Sequence, residues 1–270
     1  MNWREKLITI TSQNNSLLCA GLDTDSGKIP TFLLETSKNP LFDFNKAIID
    51  ATKDLVCAYK LNMAFYEAAG GKGIEALEKT IQYIPHNIFI ILDGKRNDIG
   101  NTAQKYAQSL FETLKADAVT INPYLGKDGV SPFLDYKEKC SFILCRTSNP
   151  SAGDFQDLLV SSTPVYQIVA RKIREWDTNK NCGAVVGATY PEELKTVRTL
   201  LGDDIPILIP GVGKQGGDVE KTVRNGTNSH GEMALINSSR EIIFAGSQQD
   251  FAEQARKKAE SVRNEINNYR

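Results

Sequence analysis

The sequence predicts an α/β fold, a single (β/α)8 TIM barrel that comprises residues 1–270. Eight short apolar segments alternate with helical segments, which is the pattern of parallel strands joined by crossover helices. The count of eight favours a closed barrel over an open sheet. No linker rich in Pro, Ser or Gly is long enough to divide the chain, so we expect one domain.

The first half of the chain contains four of the predicted strands. Each is an apolar run that stops at polar residues, and helices separate one strand from the next. The predicted strands are Leu17–Leu22, Val56–Asn62, Asn87–Asp93 and Ala118–Asn122. The predicted helices run from about Phe42 to Leu55, from Gly70 to about Ile84, and onward from Thr102, where Ala103, Tyr106, Leu110, Phe111 and Leu114 are the apolar positions.

The second half repeats the alternation. Its predicted strands are Cys140–Arg146, Gly183–Val186, Ile205–Ile209 and Glu232–Asn237. A helical stripe runs from Val165 to Trp176, a helix from Pro191 to Leu201, and the last helix carries Phe251, Ala255, Ala259, Val262 and Ile266. Two stretches, Pro30–Pro40 and Ser151–Thr163, receive no assignment. The second stretch follows the fifth strand, where a lid over the barrel mouth is one hypothesis.

Composition limits the classes of partner. The 270 residues are 24% charged and 41% hydrophobic with a net charge of −1, typical of a soluble globular protein. This near-neutral balance gives no reason to expect nucleic acid or an anionic membrane as partner. The amino terminus lacks the apolar core of a signal peptide, and no apolar run could span a membrane, so we expect a cytoplasmic protein. The five cysteines favour buried, reduced thiols over a redox or metal role.

Charged residues gather at the end of the third strand. Asp93, Lys95 and Asp98 follow an apolar run, and Lys60 lies near the end of the second strand. Alternate residues of a strand share a face, so Asp93 and Lys95 should point the same way. For a lone Asp-x-Lys, a structural ion pair is an equally good interpretation, and Lys60 alone could be a surface lysine. Together, four charges converging in a barrel mouth would fix one another's charge states, so these four are the candidate catalytic residues.

A glycine-rich loop, Pro210–Asp218, follows the seventh strand, and Arg240 follows the eighth. Glycines let backbone N–H groups approach an anion, and arginine offers a planar fork of donors. Barrels often bind phosphate between these two loops. A chance dinucleotide motif or a structural turn are the alternatives. A Rossmann unit would require an acidic residue ending a strand about twenty residues later, whereas Glu232 stands at the start of one.

The segment Asp93–Thr102, Asp-Gly-Lys-Arg-Asn-Asp-Ile-Gly-Asn-Thr, resembles the Asp-x-Lys-x-x-Asp-Ile/x-x-Thr signature of orotidine 5′-phosphate decarboxylases. Further matching motifs fall in the family's order between about Leu18 and Arg240. They are Leu22-Asp23, Lys60, Ser148-Asn149-Pro150 and the Pro210–Asp218 loop. The chain length and the segment Arg146–Pro150 look most like the longer bacterial-type branch of this family.

The resemblance implies decarboxylation of orotidine 5′-monophosphate (OMP) to UMP, the last step of de novo pyrimidine synthesis, with no metal and no organic cofactor. Lys95 would protonate C6, and Asp93 would lie against the substrate carboxylate. Asp98, Ile99 and Thr102 would reach the partner subunit's site, which implies a homodimer. The substrate-binding residues implied are Asp23, Ile99, Thr102, Ser148, Pro210, Gln215, Gly216, Ser239 and Arg240. Of these, Asp23 with Lys60 would hold the ribose, Ser148 the pyrimidine edge, and Gln215 with Arg240 the phosphate.

Two other functions stay open. A metal-dependent sugar-phosphate lyase or decarboxylase of the same superfamily shares Asp-x-Lys-x-x-Asp, although it should have a metal-binding glutamate where this chain has Lys60. A lysine repels a divalent cation, which favours the metal-free reaction. A non-catalytic nucleotide-binding barrel, acting as a sensor, is the other alternative.

Overall fold

Eight parallel strands form a closed barrel in the computed structural model, which describes residues 1–212 and 217–270. Each strand pairs with its sequence neighbours, and the first pairs with the last. This order confirms the predicted (β/α)8 barrel. The strands are β1 Leu18–Gly21, β2 Ala58–Asn62, β3 Phe89–Arg96, β4 Ala118–Ile121, β5 Cys140–Arg146, β6 Cys182–Val186, β7 Ile207–Pro210 and β8 Ala234–Ser238.

Helices surround the barrel and cover the outer face of its strands. The longer ones are α1 Trp3–Gln13, α3 Pro40–Thr52, α5 Gly70–Tyr83, α6 Gly100–Gln108, α7 Lys127–Leu134, α9 Val165–Trp176, α10 Pro191–Leu201, α11 Val219–Gly226 and α13 Phe251–Asn267. Short helices are α2 Thr31–Thr36, α4 Met63–Glu67, α8 Gly153–Gln156 and α12 Arg240–Ile243, and a π-helical turn, Ser109–Thr113, continues α6. Strands β1, β4, β6 and β8 are buried over their whole length, as parallel strands covered on both faces should be.

Local sequence explains where the helices begin and end. In α10, Pro191 takes the first position, where its missing N–H costs nothing, and two glutamates follow in the first turn, which favours negative charge. Gly202 ends the helix with φ 75°. The cap of α1 is reciprocal, because Asn2 and Glu5 each accept the other's backbone N–H.

Several predicted boundaries were wrong. Strand β3 continues past Asp93 to Arg96, and α6 begins at Gly100 rather than Thr102. Helices α1, α7 and α11 were missed; Pro132 inside α7 obscured the helical pattern there. Tyr106, assigned to the apolar stripe of α6, is exposed. The unassigned segment Pro30–Pro40 contains α2.

The second unassigned stretch, Ser151–Thr163, is mostly ordered secondary structure above the barrel mouth. It contains α8 and a two-stranded hairpin that pairs Leu159–Val160 with Thr163–Pro164. Within residues 1–212 and 217–270, no helix combines the length and apolar character that a membrane crossing requires. All five cysteines are buried and unpaired, as predicted.

Candidate active site

A cavity of about 490 Å³ opens at the carboxyl ends of the strands, where a barrel enzyme has its active site. Every strand of the barrel, or the loop that follows it, contributes to its wall. The predicted site residues that line it are Asp23, Lys60, Asp93, Lys95, Ser148, Pro210, Ser239 and Arg240.

Lysine and aspartate side chains alternate across the cavity floor. The Lys60 ammonium lies 3.2 Å from Asp23 Oδ1 and 3.0 Å from Asp93 Oδ2. The Lys95 ammonium lies 2.7 Å from the other oxygen of Asp93. Lys60 and Asp93 are buried, whereas 47% of the Lys95 side chain is exposed to the cavity. Lys95 therefore has a proton available to a ligand, and Lys60 is enclosed between carboxylates.

The contacts keep Lys60 and Asp93 ionised. Burial alone would lower the pKa of Lys60, but the charges of Asp23 and Asp93 outweigh burial and hold that pKa well above its usual value. Burial would likewise raise the pKa of Asp93, but the two lysine charges and the hydrogen bonds from Lys95 and Thr120 hold it well below its usual value. Asp93 is thus a fixed negative charge at the bottom of the cavity.

A β-bulge in β3 directs Lys95 toward Asp93. The pairing of β3 with β4 shifts between Leu92 and Arg96, and Lys95 has φ 48°. The two side chains lie together, as predicted. The prediction assumed the regular alternation of a strand, however, and β3 is not regular between Asp93 and Lys95. The bulge brings the two side chains together.

Ser148 lies at the cavity directly against Gly187, where any larger residue would collide with it. A Cβ at Gly187 would lie 2.7 Å from the Cβ of Ser148, closer than real side chains pack. The loop that carries Ser148 is fixed by Gln156, whose Oε1 accepts the Thr147 N–H at 2.8 Å. Arg146 is buried below it, pairs with Asp157 at 3.1 Å and stacks 3.9 Å from the centre of the Tyr190 ring.

Pro210, Ser239 and Arg240 line the side of the cavity formed by the ends of β7 and β8. Ser239 lies so close to Gly21 that a side chain at position 21 would overlap the Ser239 hydroxyl. Gln215 and Gly216, predicted for the same side, lie outside the described residues. An arginine fork beside a glycine-bearing strand end can bind an anion.

Asp98, Ile99 and Thr102 do not line this cavity. Ile99 is 59% exposed and Thr102 is exposed, and the Asp98 carboxylate accepts the Ile99 N–H at 2.9 Å. Of the four charged residues predicted to converge, Lys60, Asp93 and Lys95 line the cavity of one chain and Asp98 does not. Asp23 takes the fourth place instead.

Several cavity residues were missed by the sequence analysis: Asn62, Thr120, Leu144, Thr147, Gln156 and Asn237. Asn62, Thr120 and Asn237 stand at or near the end of a strand, so a systematic inspection of every strand end would have identified them. Gln156 reaches the cavity from α8, and nothing in the sequence pattern predicts that.

Comparison with known proteins identifies the family. Residues 16–255 match the model of the orotidine 5′-phosphate decarboxylase / HUMPS family. An orotidine 5′-phosphate decarboxylase of Cellvibrio japonicus is 51% identical over 274 residues, covering 99% of this chain and 98% of that relative.

Solved structures agree with the sequence comparison. The Leishmania donovani OMP decarboxylase structure superposes with a TM-score of 0.83 at 34% identity, covering 98% of this chain and 99% of that one. The Leishmania donovani UMP synthase structure has a TM-score of 0.87 at 35% identity, and this chain covers 57% of its length. The chain belongs to the orotidine 5′-phosphate decarboxylase / HUMPS family.

Proposed function

We propose that this protein decarboxylates OMP to UMP and carbon dioxide, the last step of de novo UMP synthesis, with neither metal nor organic cofactor. The observation that carries the proposal is the Asp23–Lys60–Asp93–Lys95 array, in which a fixed carboxylate and a cavity-exposed ammonium share one hydrogen bond of 2.7 Å. The full-length similarity to relatives named as this decarboxylase supports the substrate.

In this reaction the bond between C6 and the carboxylate breaks, carbon dioxide leaves, and the electron pair stays on C6. The ammonium of Lys95 stabilises this negative charge as it develops and then gives its proton to C6. Lys95 is left neutral and regains a proton from water. Asp93 lies against the substrate carboxylate, so the loss of that charge as carbon dioxide relieves repulsion.

The remainder of the cavity holds the nucleotide. Asp23 and Lys60 bind ribose hydroxyls, and Ser148 bonds the pyrimidine edge. The phosphate lies toward Arg240, Ser239 and Pro210, and the family resemblance adds Gln215 and Gly216 as phosphate-binding residues. Binding energy from this phosphate, remote from C6, can offset the cost of pressing one carboxylate on another.

We further propose that the active form is a homodimer in which Asp98, Ile99 and Thr102 enter the partner's site. Large apolar side chains are exposed on the consecutive loops after β3, β4 and β5. They are Ile99 at 59%, Tyr124 at 80%, Leu125 at 45% and Phe155 at 66% exposure. An apolar surface beside the Asp98 loop is what a subunit interface next to the cavity needs.

The metal-dependent sugar-phosphate reaction is the second candidate, because enzymes of that class share the Asp-x-Lys-x-x-Asp motif found here from Asp93 to Asp98. A divalent cation between Asp23 and Asp93 would meet the Lys60 ammonium, which already bonds both carboxylates. Electrostatic repulsion therefore favours the metal-free reaction. The nucleotide sensor is disfavoured because two buried charges are costly without a chemical role.

The remaining parts of the proposal concern the whole chain. We propose that residues 1–270 form one barrel domain that acts in the cytoplasm, with a small nucleotide as its ligand and neither nucleic acid nor membrane as a partner. Five buried, reduced thiols are in keeping with a reducing compartment.

The test is the ultraviolet absorbance of OMP after addition of EDTA-treated protein, with Lys95→Ala as the matched variant. Loss of the orotate band with the wild type alone supports the decarboxylase. A flat trace from folded wild-type protein, followed by turnover of a sugar phosphate when magnesium is restored, would establish the second candidate. If Lys95→Ala binds UMP normally without turnover, the sensor is excluded.

A further inference from the structure

One buried threonine occupies the gap that the bulge leaves between β3 and β4. Leu92 faces Val119 and Arg96 faces Ile121, so Asp93, Gly94 and Lys95 lie opposite the single residue Thr120. A bulge of this kind deprives backbone groups of their ladder partners. The N–H of Lys95 is such a group, and because its hydrogen bond lies in a partly buried place it needs another acceptor.

The Thr120 hydroxyl, on a residue only 1% exposed, is that acceptor. Its Oγ1 lies 3.0 Å from the Lys95 backbone nitrogen and 2.7 Å from Asp93 Oδ1. A hydroxyl has one hydrogen, and an ionised carboxylate can only accept. Thr120 therefore donates to Asp93 and accepts from Lys95, and an alkyl side chain could do neither.

These two bonds close a ring. Asp93 Oδ1, which accepts the Thr120 hydroxyl, also accepts the Lys95 ammonium at 2.7 Å. The backbone and the side chain of Lys95 are thus both held relative to the same carboxylate. Lys95 also has φ 48°, a left-handed conformation that persists in a residue other than glycine only when its surroundings enforce it.

We propose that Thr120 is a positioning residue, whose hydroxyl sets the Lys95 ammonium against the Asp93 carboxylate. The assignment rests on the proposed decarboxylation, since it specifies how the proton donor of that reaction is aimed. Thr120 acts through Lys95 and Asp93, so its loss should affect the chemical step more than the binding of ribose or phosphate.

The experiment compares Thr120→Val with Thr120→Ser. Valine keeps the shape and removes the hydroxyl, and kcat for OMP should fall about 10- to 100-fold, as expected for a lost hydrogen bond to a charged group. KM should change less than about threefold, because remote contacts are retained. Serine keeps the hydroxyl and should restore most of kcat.

The pH profile separates positioning from packing. Asp93 loses a donor in Thr120→Val, so its pKa rises and the acidic limb of kcat moves to higher pH. The other charged or titratable groups near Asp93 are Lys60, Lys95, Asp23 and the buried Cys19, and all are unchanged in this variant. A variant that is merely less stable would keep the wild-type profile.

Thr52→Val is the matched control. Thr52 is as buried as Thr120, and its hydroxyl contacts the Ile48 carbonyl and the Tyr59 hydroxyl, away from the cavity. It should lose stability and keep kcat. If Thr120→Val does not fold, Thr120→Cys replaces it, because a thiol is a weak donor and acceptor and should likewise lower kcat.

An unchanged kcat in folded Thr120→Val, or an equal loss in Thr120→Ser, would overturn the positioning role while wild-type turnover leaves the proposed function intact. No decarboxylation by the wild type would overturn the proposed function, and this inference with it.

Discussion

Replacement of Lys60 by methionine tests whether the charge array is as tightly coupled as its distances indicate. Methionine approximates the length of the side chain and removes the ammonium that bonds Asp23 at 3.2 Å and Asp93 at 3.0 Å. Both carboxylates lose a partner, and Asp93, with 9% of its side chain exposed, has little access to water as a substitute. Lys95 still pairs with Asp93, so the loss is incomplete.

Breaking a buried ion pair from one side costs about 3–5 kcal/mol of unfolding free energy. We expect Lys60→Met to fall near the lower value at neutral pH, because Lys95 remains. Without Lys60, the pKa of Asp93 rises toward or above its unfolded value, so Asp93 binds a proton as the pH falls. Protonation relieves the unpaired charge, and the difference from wild type should therefore shrink in acid.

The same two pKa shifts determine how the unfolding free energy of the wild type depends on pH. The lowered pKa of Asp93 gives stability that is present above its unfolded pKa and is lost as the pH falls through the folded value. The raised pKa of Lys60 gives stability that is present below its unfolded pKa and is lost as the pH rises through the folded value. The Lys60–Asp93 pair should therefore contribute fully between about pH 4 and pH 10.

Urea unfolding near neutral pH and in mild acid measures the difference in unfolding free energy between Lys60→Met and the wild type. OMP turnover is followed on the same samples. The control is Lys6→Met, which breaks a partly buried pair with Asp117 outside the cavity. The control should lose stability and keep turnover, whereas Lys60→Met should lose both. A Lys60→Met protein within about 0.5 kcal/mol of wild type, at every pH, would refute the coupling, since surface changes are of that size.

Three further predictions concern the rest of the site. Gly187→Ala should raise KM for OMP about tenfold, because the new Cβ displaces Ser148; an unchanged KM in steady-state kinetics would contradict the close approach. Arg146→Met should cost about 1–3 kcal/mol in thermal or urea unfolding and speed proteolysis within 150–164, since Asp157 loses its partner; wild-type cleavage rates would count against this. Mixing inactive Lys95→Ala with inactive Asp98→Ala should recover about a quarter of wild-type turnover, because half of the dimers then contain one intact site; no recovery would argue against shared sites.

The order of strands and helices could be deduced from the sequence because residues that face the core are apolar and recur with the period of the strand or helix. Strands β5 and β6 and helices α9 and α10 were predicted at or within one residue of their observed bounds, since apolar residues fill their core-facing positions. The missed helix α7 carries an internal proline, and α11 is short and mostly polar outside its buried residues. Both helices have only eight residues, fewer than the stretch over which a helical period can be recognised.

The sequence by itself determined the barrel, the strand ends that carry chemistry, and the family motif around Asp93 and Lys95. Only the tertiary structure decided how those charges meet. A register shift between two strands aims Lys95, and Thr120 from the neighbouring strand holds it there. Gln156 enters the cavity from a loop helix, and Asp98 stays out of it. These contacts are between residues distant in sequence, and they depend on how separate strands and helices pair and pack. The local spacing of residues therefore cannot predict them.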